Sequence, residues 1–268
     1  MLRTVRDLQG YAIRATDGVI GKVADFFFDD DDWVIRYLVV DTATWLVGRR
    51  VLISPAAIGH PDWSAQLLPV SLTTNQIELA PDIDTRKPVS RQHEAQFHAY
   101  YQYPLYWGGA GVWGMGAYPG NLTTEDALRA EMKARRDAET AKMASEDVHL
   151  RSCSAIIGHH IHAIDGEIGH VQNFLVDDDT WAIRYLVVDT SNWWVGKHVL
   201  VAPQWIKEVS WPDAMVSIDL SRQALKNAPA YDSSVPLDRQ REVAIYEHYE
   251  RLGYWTTKTS REPSADRR

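Results

Sequence analysis

One cysteine, Cys153, stands in a chain of 268 residues, so no disulfide can form within it. No stretch approaches the roughly 20 apolar residues that a membrane helix requires, so membrane insertion is not expected. The opening residues, MLRTVRDLQGYAIRATDG, are charged and turn-rich and lack the apolar core of a secretory signal. The expected compartment is therefore the cytoplasm. There is no basic excess either: 28 Lys and Arg face 36 Asp and Glu, a net charge of −8. Nucleic-acid binders draw much of their affinity from neutralising phosphates, so nucleic acid is not an expected partner. Signatures of catalysis are missing as well, with no G-x-S-x-G elbow, P-loop, dinucleotide fingerprint or H-E-x-x-H. No enzymatic activity and no cofactor are expected.

What is present is a duplication. An offset of 148 positions carries DGVIG at Asp17–Gly21 onto DGEIG at Asp165–Gly169. It carries WVIRYLVVDT at Trp33–Thr42 onto WAIRYLVVDT at Trp181–Thr190. Trp45, Gly48, Pro55, Arg91, Gln92, Glu94, Tyr101, Tyr106 and Trp107 land on Trp193, Gly196, Pro203, Arg239, Gln240, Glu242, Tyr249, Tyr254 and Trp255. Cys153 aligns with Val5 and reads as a small buried apolar residue. Two copies are too few for a solenoid, so each is expected to carry its own core. The pair reads as a homodimer-like arrangement, either an internal pseudo-dimer or a true homodimer.

Within a copy, Asp-Gly between apolar segments marks a tight hairpin. Next come an aromatic strand ending in acidic residues, and the apolar run IRYLVVD, a buried strand by composition. A loop bearing Trp45 or Trp193 leads to a further strand, stopped by Pro55 or Pro203. Another strand, a short helical turn and a final helix complete the unit. Pro88 and Pro236 suit the first turn of that helix, and Phe97 with Tyr101, or Ile245 with Tyr249, form its apolar stripe. The expected fold is mainly β: two small barrels, each followed by a C-terminal helix. Residues 1–107 form the first unit and 150–257 the second. Between them, 108–149 reads as a Gly-rich segment followed by a charged helix, and 258–268 as a disordered tail.

The run DG-x-IG, acidic turn, W-x-IRYLVVDT-x-x-W-x-x-G-x-x-VL-x-x-P resembles the PRC-barrel domain, over about the first eighty residues of each copy. The trailing R-Q-x-E helix and terminal Tyr-Trp resemble an extension of bacterial stand-alone PRC-barrel proteins. The resemblance implies a small β-barrel that acts through contact with other proteins. It also raises an accessory role at a photosynthetic or other membrane complex, by analogy with the reaction-centre H subunit. Nothing in the chain resembles that subunit's membrane helix.

The candidate sites follow from residue type. Asp29–Asp32 and Asp177–Asp179 offer oxygen ligands to Ca²⁺ or Mg²⁺, with Asp29, Asp31, Asp177 and Asp179 as named ligands. The competing reading is a solvated turn in which Asp side chains satisfy backbone amides. HHIH at His159–His162 would place His160 and His162 on one side of a strand, where imidazoles suit Zn, Cu or Ni. Arg36 and Arg184 interrupt apolar strands and imply ion pairs inside the barrel or hydrogen bonds to loop carbonyls. Trp45, Trp193, Trp107 and Trp255 are candidates for an interaction surface, since tryptophan is enriched at interfaces. The leading expectation is a non-enzymatic protein-binding or scaffold protein whose partner is unknown. The alternative is a metal- or small-ligand-binding protein using His159–His162 or the acidic turns.

Overall fold

The computed structural model describes residues 1–42, 49–81, 89–107, 112–114, 116–119, 148–190 and 197–256. The architecture is mainly β, with two mixed sheets. The chain separates into two compact units, Met1–Ile157 with Asn173–Arg184, and Gly158–Gln172 with Tyr185–Arg268.

In the first unit, β1 (Leu2–Thr4) runs into the one-turn helix α1 (Val5–Leu8), capped by the Thr4 side chain. Then come β2 (Ala12–Arg14), β3 (Val19–Asp29), β4 (Val34–Asp41), β5 (Arg50–Ile53) and β6 (Leu67–Pro69). Their order in the sheet is β5-β4-β3-β2-β6, antiparallel except where β6 returns parallel to β2. Every residue of β4 from Val34 to Val40 is buried, as its continuous apolar run requires. Helix α2 (Thr74–Glu78) begins with a Thr73–Gln76 capping box. A short β7 (Val89–Ser90) leads into α3 (Arg91–Tyr101), which packs Phe97 against Tyr37, Val39 and Leu52.

The second glycine of each DG-x-IG motif has a steric reason. At Gly21, with φ +156°, an added Cβ would lie 2.1 Å from the Asp41 carbonyl oxygen. Gly169, with φ +129°, would put one 2.1 Å from that of Asp189. Only glycine lets the bulged strand approach its neighbour so closely.

The first unit also takes in the start of the second sequence copy, β8 (Val148–Ser152) and α4 (Cys153–Ile156), and the hairpin tip Asn173–Arg184. Here the two copies exchange strands reciprocally. Leu2, Arg3 and Thr4 pair with Asp177, Val176 and Leu175, while Leu150, Arg151 and Ser152 pair with Asp29, Phe28 and Phe27. Each pairing maps onto the other through the same offset of the repeat. Side chains repeat the pattern: Arg3 reaches Asp178 at 2.9 Å and Arg151 reaches Asp30 at 3.1 Å. At the centre, Ile35 N–H donates to the Trp181 carbonyl at 2.9 Å and Ile183 N–H to that of Trp33 at 2.8 Å. Both tryptophans adopt a left-handed backbone, with φ +56° and +59°. That conformation is costly for a bulky residue and persists where surrounding bonds over-determine it. Here it closes each acidic turn and aims the carbonyl at the other copy's strand.

The second unit contains β9 (His160–Ala163), most of β10 (Gly166–Asp177) and β11 (Ile183–Asp189), β12 (His198–Val201), β13 (Ile206–Ser210) and β14 (Met215–Ile218). Helices α5 (Arg222–Asn227) and α6 (Arg239–His248) follow. Its strand β14 runs parallel to β9, as β6 does to β2. One expectation is corrected: Pro236 does not open the final helix. Asp238 caps it by accepting from Arg241 N–H, which places the start three residues beyond the proline. Pro88, the expected connecting helix within 108–149 and the tail lie outside the described residues.

Candidate functional site

In each unit the terminal helix is anchored to the sheet by a buried glutamate. In the first, α3 carries Glu94, only 1% exposed. Its carboxylate accepts from Tyr106 Oη at 2.5 Å and from His149 Nε2 at 2.7 Å. Beside it, Tyr37 Oη lies 2.8 Å from His98 Nε2. His98 Nδ1 must donate to the Pro104 carbonyl, 2.9 Å away, so Nε2 accepts from Tyr37. Burial lowers the His98 pKa, with the Glu94 charge opposing it. Burial also pushes the Tyr37 hydroxyl well up, and Glu94 adds to that effect.

The second unit repeats the arrangement. Glu242 accepts from Tyr185 and Tyr254, each at 2.9 Å, and pairs with Arg239 at 2.9 Å. The Arg239 guanidinium lies 4.2 Å from the Trp255 ring centre. Burial and the neighbouring carboxylate raise the Tyr185 hydroxyl far above its usual range. A carboxylate enclosed this way binds a helix to a sheet. The signal was present in the sequence, because Glu94, Tyr106, Glu242 and Tyr254 all hold the repeat register. What sequence spacing did not show was that these residues converge on Tyr37 and Tyr185 of the core strands.

The buried Arg36 finds its partners in the acidic turn, with Asp32 at 3.0 Å and Asp29 at 3.6 Å, and it also donates to the Val112 carbonyl at 2.5 Å. Its guanidinium lies 3.8 Å from the Tyr106 ring centre. Arg184 reaches Asp177 at 3.0 Å. The turns do satisfy amides: Asp29 accepts from Asp31 and Asp32, and Asp177 from Asp179 and Thr180. They are not simply solvated tips, however, because Asp29 is completely buried against Arg36. A buried guanidinium needs a carboxylate beside it, and the turn supplies one. Asp31 and Asp179 remain exposed.

Of the histidines, His160 and His162 share the exposed face of β9, while His159 is buried and packs edge-on to Trp211. His160 pairs with Glu167 at 2.7 Å. Trp107 and Trp255 are half-buried against the helices, near His98 and Tyr246 respectively. Trp45 and Trp193 lie outside the described residues. Cys153 is fully buried, and burial with the nearby Asp25 raises its thiol well above the usual value. The second unit also holds a cavity of about 350 Å³ lined by Leu200, Tyr231, Asp232, Arg241 and Ile245 among others.

At two repeat-equivalent positions an exposed apolar side chain of the first copy is polar in the second. Leu79 is 64% and Tyr100 38% exposed, and Tyr100 donates to the Gln76 carbonyl at 2.8 Å, which ties it to the end of α2. Their repeat counterparts are Asn227 and His248, and His248 makes the equivalent bond to the Ala224 carbonyl at 2.8 Å. The helix contact is common to both copies; at these two positions the apolar side chains belong to the first, while the second exposes Ile164 and Leu252 elsewhere.

Residues 2–65 match the PRC-barrel domain. The match covers β1 to β5 of the first unit and ends before α2 and α3, so the PRC-barrel segment excludes the glutamate anchor. No curated protein matches the chain. No helix among the described residues is long and apolar enough to cross a membrane.

Proposed function

We propose that the protein is a non-enzymatic scaffold built from two PRC-barrel-like modules, the second copy being a barrel of the same type as the matched first. The repeat register supports that reading, since β2 to β5, α2 and α3 recur as β9 to β12, α5 and α6. The role is contact with another protein, through the surface formed by Leu79 and Tyr100. The observation that carries it is the contrast between the copies. The buried charged groups they share serve the fold, while the first copy alone exposes a leucine and a tyrosine where the second has Asn227 and His248. Tyrosine is enriched among the energetic centres of protein interfaces, and leucine adds apolar area to be buried beside it.

The test is site-specific photo-crosslinking in native cells, with the photoreactive residue at 79 or 100 and a control at exposed Asp213. A discrete adduct from 79 and 100 but not from 213 is the expected result. Equal or absent crosslinking at all three positions would refute the assignment.

A further inference from the structure

The exposed face of the second unit's sheet carries an ordered row of imidazoles. His160 on β9 pairs in register with His170 on β10. On the next strands Asp189 pairs with His198. The Asp189 carboxylate joins the two halves, with Oδ2 4.0 Å from His170 Nε2 and 3.8 Å from His198 Nε2. The bulge at Gly169, which lets β10 approach the Asp189 backbone, sets His170 in this place.

Position by position, the first copy has the same row with different chemistry. There Ala12, Lys22, Asp41 and Arg50 are paired in register across β2, β3, β4 and β5. The carboxylate there stands in register between two permanent cations, neither of which can ligate a metal. In the second copy the aspartate remains and both cations have become imidazoles, which are metal ligands when neutral. The scaffold therefore does not require the histidines.

We propose that His170, Asp189 and His198 form a binding site for a divalent transition-metal ion, with Zn²⁺ as its type. Separations of 3.8 and 4.0 Å are too long for hydrogen bonds. They are short enough for each pair to share an ion through bonds of about 2.1 Å. Two imidazoles and one carboxylate leave a coordination position to water, the donor set of an open site. The three ligand atoms do not yet converge. Among the described residues only Asp177, Asp178 and Asp179 have such atoms all within 4.8 Å of one another, so the two imidazoles stand farther apart than that. Closure takes a side-chain rotation, and His170 and His198 are 33% and 37% exposed, with solvent to turn through. The aspartate trio is a poorer candidate, because Arg3 and Arg184 already neutralise Asp178 and Asp177.

Calorimetric titration of the intact chain with Zn²⁺ alone tests the site. One saturable equivalent tighter than millimolar is expected. Changing His170→Lys together with His198→Arg installs the residues that the first copy carries at these positions, so the fold is retained. That variant should lose affinity by more than about a hundredfold, above the roughly 10–100-fold effect of removing a mere supporting partner. His198→Asn alone should weaken binding by about tenfold or more, and the ring ¹⁵N shifts of His170 and His198 should move on Zn²⁺ addition. His162→Asn should bind as wild type. Absence of saturable binding, or binding that survives both His198→Asn and the double change, would overturn the proposal. So would binding abolished by His162→Asn. None of these outcomes bears on the crosslinking at positions 79 and 100.

Discussion

The glutamate anchor of the second unit makes a quantitative claim. Glu242 is 3% exposed and accepts from two phenols, Tyr185 and Tyr254, each at 2.9 Å. A hydrogen bond to a charged group contributes about 1.5–3 kcal/mol. Tyr185 is fully buried, so its bond takes the upper part of that range, and half-buried Tyr254 the lower. The Arg239 side chain is 52% exposed, and its ion pair adds at most about 1 kcal/mol. Glu242→Ala should therefore cost about 3–5 kcal/mol. With a urea slope of about 1–3 kcal/mol per molar, the transition of the second unit should move down by about 1–5 M, followed by circular dichroism. Changing Glu242→Leu with Tyr185→Phe removes the buried orphaned hydroxyl, leaves half-buried Tyr254 to hydrogen-bond water, and should recover at least half of the loss. The reasoning is wrong if Glu242→Ala costs less than about 1 kcal/mol, or if Tyr185→Phe adds its full cost to that of Glu242→Leu.

Two further outcomes are expected. Gly169→Ala should destabilise the chain by about 3 kcal/mol or more, because its Cβ would meet the Asp189 carbonyl 2.1 Å away. A thermal midpoint within a degree or two of wild type would show that the close approach is not required. His98 has its pKa lowered by burial, so below about pH 6.5 the unfolded chain takes up a proton that the native ring resists. Its stabilising contribution is whole above that pH and shrinks as the pH falls. Urea midpoints of wild type and His98→Gln should thus converge between pH 7 and pH 5.5, and a constant gap would count against the neutral buried ring.

Much of the scaffold is written in local chemistry. Asp-Gly followed by alternating and then continuous apolar residues can only be a hairpin leading to a buried strand, and the structure has β3 and β4 there, as β10 and β11 in the second copy. The stripe of Phe97 or Ile245 on the last helix is buried as its spacing implies. Arg36 was legible as a buried charge that must find a carboxylate. Its actual partners, Asp29 and Asp32 in the preceding turn, have in sequence the pattern of metal ligands or solvated groups. Composition gives an acidic run the same appearance whether water or a guanidinium faces it.

The repeat itself, and the positions it makes equivalent, needed nothing but the amino-acid order, because a constant offset survives any folding. Local propensity likewise dictated the hairpins and the buried strand. Long-range convergence was a matter for the tertiary structure. Strand pairing joins residues more than a hundred positions apart, and nothing local marks Leu2 as the neighbour of Asp177 or Leu150 as that of Asp29. The same holds for Glu242 meeting Tyr185, and for two histidines flanking Asp189 on adjacent strands. Such contacts depend on sheet register, which turns, bulges and buried faces set together. In this chain both copies share that register, and the residues set on it, Lys22 and Arg50 in one and His170 and His198 in the other, give two surfaces of different chemistry.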